Sequence, residues 1–302
     1  MKISIIGAGS WGLAIHSIIS QNISSLNLNL FISNRTIKDF HNFINFEEAV
    51  KSDVLILAIS AQHLESWLKT YVKQKLPKTK ILIACKGIDK NNNKFMSEIC
   101  EQYFKSKNIA YLSGPSFASE VIEKKPTALV INSKKKKLYN EFSSLFDCHF
   151  IKTYYSKDII GAEIAGSYKN VLAIASGICQ GSNLGKNAQA ALIARGLVEM
   201  SRFGKFYGAK NKTFLDLSGA GDLFLTASSE LSRNFRVGLY IGQGMLLNDI
   251  LKELNEVAEG VDTTYSLFNL SSKNNIYTPI VSEVKQILEG KDINLSLKKL
   301  IS

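Results

Sequence analysis

The sequence predicts an α/β fold over residues 1–157, a doubly wound and mostly parallel sheet, followed by an all-α domain over residues 158–302. Three observations carry this expectation. Short β-branched runs alternate with helical patterns as far as residue 157. Gly7, Gly9 and Gly12 stand between the first such run and the first helix. Beyond Asp158 the pattern is helical, with no clear strand, repeat or long linker. A chain of 302 residues is long enough for two cores of that size.

The opening stretch, "MKISIIGAGSWGLAIHSII", admits two readings. A lysine before an apolar run resembles a secretory signal peptide. Against this, Lys2 is a thin basic region, three glycines interrupt the run, and no small-residue cleavage site leads into a changed composition. The other reading is a strand, "KISIIG", a turn, "GAGSWG", and a helix, "WGLAIHSIIS". In that G-x-G-x-x-G spacing Gly7 permits the tight turn and Gly9 lets the backbone approach a pyrophosphate. Gly12 lets the helix pack close to the strand, with its first amides turned toward the phosphates. Placed between a strand and a helix, the motif points to a dinucleotide-binding Rossmann domain.

The second strand, "LNLNLFIS" (26–33), alternates cleanly and ends at "NRT". An NAD-preferring site places Asp or Glu near here for the ribose 2′-hydroxyl; this chain has Asn34 and Arg35. A guanidinium suits a 2′-phosphate, so NADP(H) is favoured slightly over NAD(H). Further strands are expected in "SDVLILAIS", "TKILIACKGI", "IAYLSGPSF", "PTALVINS" and "CHFIKTYYS". Between them fall helices in "AQHLESWLKTYVKQKL", stopped by Pro77, in "NKFMSEICEQYFKS" and in "KKLYNEFSSLF". Ligands of such sheets lie beyond the carboxyl ends of the strands. Lys86, Gly114 and Ser116 fall just past such ends and are expected to face one crevice.

Composition excludes several classes. Apolar residues make up 45% and charged ones 21%, which describes a globular chain. No apolar stretch approaches the roughly 20 residues that span a bilayer. Cys85, Cys100, Cys148 and Cys179 form no CxxC pair, and the four histidines have no ligand partner at fixed spacing, so neither a metal nor a disulfide framework is expected. Reduced thiols fit a cytoplasmic protein. The net charge of +11 includes the run Lys134 to Lys137. One such run without interleaved aromatics reads as a solvated turn rather than a nucleic-acid patch, while the positive field favours small anionic substrates.

In the second domain, "KDIIGAEIAGSYKNVLAIASGICQG" reads as a long helix, followed by helices in "NAQAALIARGLVEMSRFGKFYG", "NDILKELNEV" and "YTPIVSEVKQILEG". On the first of these, Ile164, Tyr168, Val171, Ala175 and Ile178 share a bulky face. Lys169 lies off that face, among Ala162, Ala165, Gly166, Ala173 and Ser176. Small residues around one ammonium leave space for a substrate. They serve equally well for a close helix crossing past which Lys169 snorkels to solvent.

The stretches "GAGSWG", "ACKGI", "GPSFASEV", "KPTALVI", "GAEIAGSYKNVLAIASGI", "NAQAALIARGLVEM", "LSGAGDLFLTASSELSRN" and "EVAEGVDT", in this order and spacing, resemble bacterial NAD(P)-dependent glycerol-3-phosphate dehydrogenase along nearly the whole chain. The resemblance implies a Rossmann domain and a helical domain, often as a homodimer. It implies interconversion of sn-glycerol 3-phosphate and dihydroxyacetone phosphate, chiefly in the reducing direction for phospholipid synthesis. It makes Lys169 the proton acceptor. Lys86, Gly114, Ser116, Asp222, Ser232, Arg233 and Asn234 become substrate contacts. Ser10, Trp11, Arg35, Lys86, Ala118, Arg233, Val257 and Glu259 join the three glycines as cofactor contacts. In chemical terms, a lysine ammonium can neutralise the alkoxide that hydride transfer creates. Lys86 is the candidate second cation, and Asp222 the candidate to hold one ammonium in place. "ELSRN" offers a hydroxyl, a guanidinium and an amide to a phosphate, although Ser232 and Asn234 also suit helix caps and Asp222 a turn.

Three places depart from the family pattern. "FISNRT" lacks its aromatic-x-Arg arrangement, Lys186 and Gln189 stand where Asp and Lys are commoner, and Lys124 and Lys125 precede Pro126. The competing readings are a related dehydrogenase acting on another hydroxy or keto acid, a non-catalytic NADP-binding sensor, and a nucleic-acid-binding protein.

Overall fold

The computed structural model describes residues 1–36, 40–254, 258–293 and 295–296. It forms two compact units, one of Met1–Lys86 with Phe95–Ile159, the other of Gly87–Lys94 with Ile160–Ser302.

The first unit is built on seven strands: β1 (Lys2–Ile6), β2 (Asn29–Ser33), β3 (Val54–Leu57), β4 (Lys80–Ile83), β5 (Ile109–Ser113), β6 (Thr127–Ser133) and β7 (Ile151–Ser156). Their order is β2-β1-β3-β4-β5-β6-β7. Every neighbouring pair is parallel except β5 with β6. The helices are α1 (Ser10–Ser20), α2 (Ile23–Leu26), α3 (Phe46–Ala49), α4 (Ala61–Tyr71), α5 (Met96–Glu101), α6 (Ala118–Ile122) and α7 (Lys136–Leu145). Ile3, Ile5, Ile32, Ile56, Leu82 and Ile131 join Ile15, Ile18 and Phe142 of α1 and α7 in one buried cluster. Ile6, Leu55, Leu57, Ile81 and Ile83 are buried too, so the apolar side chains of β1, β3 and β4 are buried on both faces of the sheet. That explains why these strands read as continuous apolar runs.

Several elements are shorter than their sequence patterns, β2, α4 and α5 among them. The alternation of 26–33 overstates β2, because Leu26 ends α2 and Asn27 follows at φ 48° with its N–H on Ile23 O and Ser24 O. Asparagine tolerates this left-handed turn. Helix α4 stops at Tyr71, well before Pro77. Lys73, Gln74 and Lys75 are exposed, and the Leu76 N–H bonds Tyr103 O instead of a helical carbonyl. With no apolar face, a further turn has nothing to pack on.

The second unit contains α8 (Ile159–Gly181), α9 (Gly185–Phe206), α10 (Asn211–Leu215), a π-helical turn (Leu217–Gly221), α11 (Asp222–Ala227), α12 (Arg233–Gly242), α13 (Leu247–Leu254), α14 (Glu259–Lys273) and α15 (Pro279–Leu288). No strand occurs among its described residues. Helix α8 is its axis: residues 161–179 are buried without interruption. Helix α12 crosses α8 through paired glycines. A Cβ on Gly177 would lie 2.1 Å from Phe235 O, and one on Gly238 would lie 1.9 Å from Ile174 O. Small residues on α8 therefore do serve a close crossing, two turns beyond Lys169. The segment Gly87–Lys94 belongs to this unit, where Lys90 pairs with Asp262 of α14 at 3.4 Å.

Buried Glu199 of α9 ties three elements together. It accepts from Tyr168 Oη at 3.0 Å and from the first amides of α15, Ile280 N at 2.8 Å and Val281 N at 3.1 Å. Burial raises its carboxyl above the ordinary 4.5, against the lowering effect of those three donors. The native state therefore holds this proton more tightly than the unfolded chain does. The group's contribution to stability is largest below about 4.5 and falls as pH rises through the raised native value. Glu199→Ala strands three buried donors and should cost about 3 kcal/mol or more. Urea melts should show this loss shrinking at high pH, and a loss below about 0.5 kcal/mol at neutral pH would contradict the assignment.

Candidate active site

The first unit gathers its predicted residues at the carboxyl edge of the sheet. Gly7 follows β1 at φ +111°, and its N–H donates to Ser33 O at 2.7 Å. A Cβ here would lie 2.7 Å from Ala58 O, just past the end of β3. This is the switch point at which β1 has β2 on one side and β3 on the other. A Cβ on Gly12 would lie 1.9 Å from Gly7 O, so α1 meets the turn at a distance only glycine allows. A Cβ on Gly9 would meet nothing within 4 Å. Space thus lies in front of a helix N-terminus whose cap residue, Gly9, has no side chain and whose first turn has no acidic residue. A dinucleotide pyrophosphate fits such a place. Ser10 and Trp11 open the helix, Ser10 exposed and Trp11 packed partly on the core.

At the end of β2, Asn34 Oδ1 accepts from Ala8 N at 3.4 Å and Asn34 Nδ2 donates to Thr36 O at 3.3 Å. The residue where an NAD site carries a carboxylate is thus a neutral amide held against the glycine turn, with exposed Arg35 beside it. Three strands along, past the end of β4, Lys86 Nζ donates to Gly114 O at 3.4 Å and Ser116 Oγ donates to the same oxygen at 3.2 Å. Gly114, at φ +105°, has no room for a side chain against Ala128 O. Lys86, distant in sequence, therefore joins Gly114 and Ser116 in one cluster. Ala118 opens α6 and packs on the same core as Trp11.

In the second unit Lys169 is buried rather than snorkelling. Its Nζ donates to Asp222 Oδ1 at 2.7 Å and to Thr226 Oγ1 at 2.9 Å. Asp222 is 1% exposed and opens α11 directly after the π-helical turn "LSGAG", so it is a helix residue and not a turn residue. The Thr226 hydroxyl bonds Asp222 O at 2.7 Å, which leaves its oxygen lone pairs toward the ammonium. Two compensating oxygens make a buried ammonium tolerable. Thr226 escapes a reading of the sequence that treats "AGD" as a turn. Once "DLFLT" is a helix, the hydroxyl at i+4 shares a face with the carboxylate.

The "SRN" triplet starts α12. Ser232 is its cap, accepting from Phe235 N at 3.3 Å, and Arg233 is exposed. Asn234 is no cap for its own helix: its Oδ1 accepts from Gly260 N at 2.9 Å, at the start of α14 beside Glu259. Val257 lies outside the described residues. Among the described residues, no group of three or more His, Cys, Asp or Glu is placed to hold a metal ion, and no helix is long and apolar enough to cross a membrane.

Family models for the N-terminus and C-terminus of NAD-dependent glycerol-3-phosphate dehydrogenase match residues 38–139 and 158–298. A Sulfurimonas denitrificans protein named glycerol-3-phosphate dehydrogenase [NAD(P)+] is 51% identical over 301 residues, covering 100% of this chain and 99% of that one. A Campylobacter lari protein of the same name is 52% identical over 302 residues, covering 100% and 98%. Among solved structures, glycerol-3-phosphate dehydrogenase from Coxiella burnetii superposes with a TM-score of 0.90 at 27% identity, covering 100% of this chain and 98% of that one. The Plasmodium falciparum enzyme, at 0.88 and 23%, shares the fold.

Proposed function

The chain belongs to the NAD-dependent glycerol-3-phosphate dehydrogenase family, and from that premise we propose how its residues carry the reaction. It is an NAD(P)-dependent oxidoreductase that interconverts sn-glycerol 3-phosphate and dihydroxyacetone phosphate. When bound, the nicotinamide supplies or accepts the hydride. The first unit, Gly7, Gly9, Ser10, Trp11 and Gly12 foremost, holds the dinucleotide. The second supplies the acid–base group.

Lys169 donates a proton from Nζ to the ketone oxygen as its carbon is reduced, and the neutral amine takes the proton back in the other direction. Asp222 and Thr226 hold that nitrogen on α8, so the charge opposing the forming alkoxide needs little reorganisation. This buried ion pair is the observation that carries the reading. Arg233, with Ser232 and Asn234 at the N-terminus of α12, anchors the substrate phosphate through a forked guanidinium and the helix's positive end. Lys86, Gly114 and Ser116 are further substrate contacts in this reading, and Ala118, Val257 and Glu259 further cofactor contacts. Reduction of dihydroxyacetone phosphate by NADPH, followed by nicotinamide absorbance, tests the reading. Turnover of another keto acid but not of this ketone would overturn it, as would tight NADPH binding with no turnover on any small phosphate.

Asn34 and Arg35 support a preference for NADPH, since an amide and a guanidinium leave no carboxylate to repel a 2′-phosphate. Arg35→Asp should shift the ratio of kcat/KM toward NADH by roughly tenfold or more. An unchanged ratio would move the determinant elsewhere. Exposed Val198 and Phe206 of α9 support a homodimer that buries them; a single-chain mass in light scattering would refute it. The four free cysteines, with the Cys179 thiol pushed up to about 11 by burial, support a reducing cytoplasmic setting, and the family's reaction supports supply of glycerol 3-phosphate to phospholipid synthesis.

A further inference from the structure

Lys186 and Gln189, at the start of α9, belong to none of the groups described above, yet a directed chain of hydrogen bonds runs from them to the helix that holds Lys169. Lys186 Nζ donates to Gln189 Oε1 at 3.0 Å, Gln189 Nε2 donates to Ser176 Oγ at 2.8 Å, and Ser176 Oγ donates to Ala227 O at 2.6 Å. Each direction is forced. An ammonium only donates, so the oxygen of the Gln189 amide faces Lys186 and its nitrogen faces Ser176. The hydroxyl of Ser176 accepts there and spends its one proton on Ala227 O. Ala227 ends α11, a six-residue helix whose last carbonyls have no partner within it. Gln189 and Ser176 are buried, and Lys186 is exposed with a second bond to Gln180 Oε1 at 3.0 Å.

Helix α8 therefore grips α11 at two points seven residues apart on one stripe. Lys169 holds Asp222 and Thr226, and Ser176 holds Ala227, the residue after Thr226. The second grip is braced from α9. We propose that Gln189, oriented by Lys186 and acting through Ser176, is a positioning residue that fixes α11 so that Asp222 and Thr226 present their oxygens to Lys169. The inference rests on Lys169 being the proton donor. An Asp–Lys pair at these two positions would likewise put a nitrogen donor at position 189.

The test is steady-state kinetics of the full chain with NADPH and dihydroxyacetone phosphate. Gln189→Leu, close in volume but without a donor, should lower kcat about tenfold with KM and NADPH affinity little changed. Ser176→Ala, small enough to fold, should do the same if Gln189→Leu does not fold. Gln189→Lys alone keeps a donor but sets two ammonium groups together, which turns it from Ser176 and should lower kcat, whereas Lys186→Asp/Gln189→Lys gives that donor an oppositely charged partner and should restore kcat. Loss confined to KM, unchanged kcat in Ser176→Ala, or no rescue by the double variant would overturn the proposal. Lys169→Met, assayed in parallel, keeps the outcomes apart: if it retains turnover, the proton-donor reading fails first.

Discussion

Lys169→Met should lower kcat by roughly 10²–10⁴, the usual worth of a positioned general acid, while NADPH affinity measured by nicotinamide fluorescence stays within about threefold. The asymmetry follows from placement. The residues proposed to hold the dinucleotide lie on the carboxyl edge of a sheet in the first unit, and Lys169 lies in the middle of the buried axis of the second. The substitution also leaves the Asp222 carboxylate 1% exposed without its cation, which costs about 3–5 kcal/mol when a buried pair is broken from one side. Stability and catalysis must therefore be separated. Lys169→Met/Asp222→Asn removes the orphaned charge and should recover much of the lost thermal stability with none of the lost turnover. Activity that returned with stability would mean that Lys169 serves packing alone.

Gly12→Ala should lower NADPH affinity by roughly a hundredfold or more, equivalent to about 3 kcal/mol, the upper range of overpacking costs. The added Cβ would sit 1.9 Å from Gly7 O, and the clash is with backbone, which no rotamer change relieves. Either α1 tilts away from β1 or the Gly7 turn opens. Each moves the first amides of α1 away from the phosphates, and Gly7 has little freedom with its N–H on Ser33 O and Ala58 O behind it. Gly9→Ala makes the contrast, because a Cβ there meets no protein atom and would intrude only on a bound ligand. Its melting temperature should match the parent while affinity falls. Titration by fluorescence alongside thermal melts checks both, and full NADPH affinity in Gly12→Ala would contradict the close approach of α1 to the turn.

Much of the fold is legible because local pattern and tertiary environment agree. Strands β1, β3, β4 and β5, buried on both faces, leave short apolar runs, whereas β2 is legible from its alternation and β7 is mostly half-buried or exposed. The errors fall where an element's end is decided by something distant. Asn27 turns left-handed and converts the start of a clean alternation into a helix end. Helix α4 lacks an apolar face after Tyr71, so its stop precedes the proline that the sequence offers as a reason. In the second unit, α8 is buried all round, and the contrast between a bulky face and a small one that singles out Lys169 is a contrast between two packed surfaces. Short helices such as α11 have too little periodicity to be read, which hides Thr226 and casts Asp222 as a turn residue. The convergence of Lys86 and Ser116 on Gly114 O depends on the adjacency of β4 and β5, a matter of strand order that no local window contains.

A crystal structure of the chain with NADP⁺ and glycerol 3-phosphate bound tests the central claim most directly. Lys169 Nζ should lie within about 3 Å of the substrate's secondary hydroxyl oxygen, still bonded to Asp222, with the C–H of that carbon directed at the nicotinamide ring. A substrate hydroxyl held by another side chain, with Lys169 bonded only to Asp222 and Thr226, would contradict it.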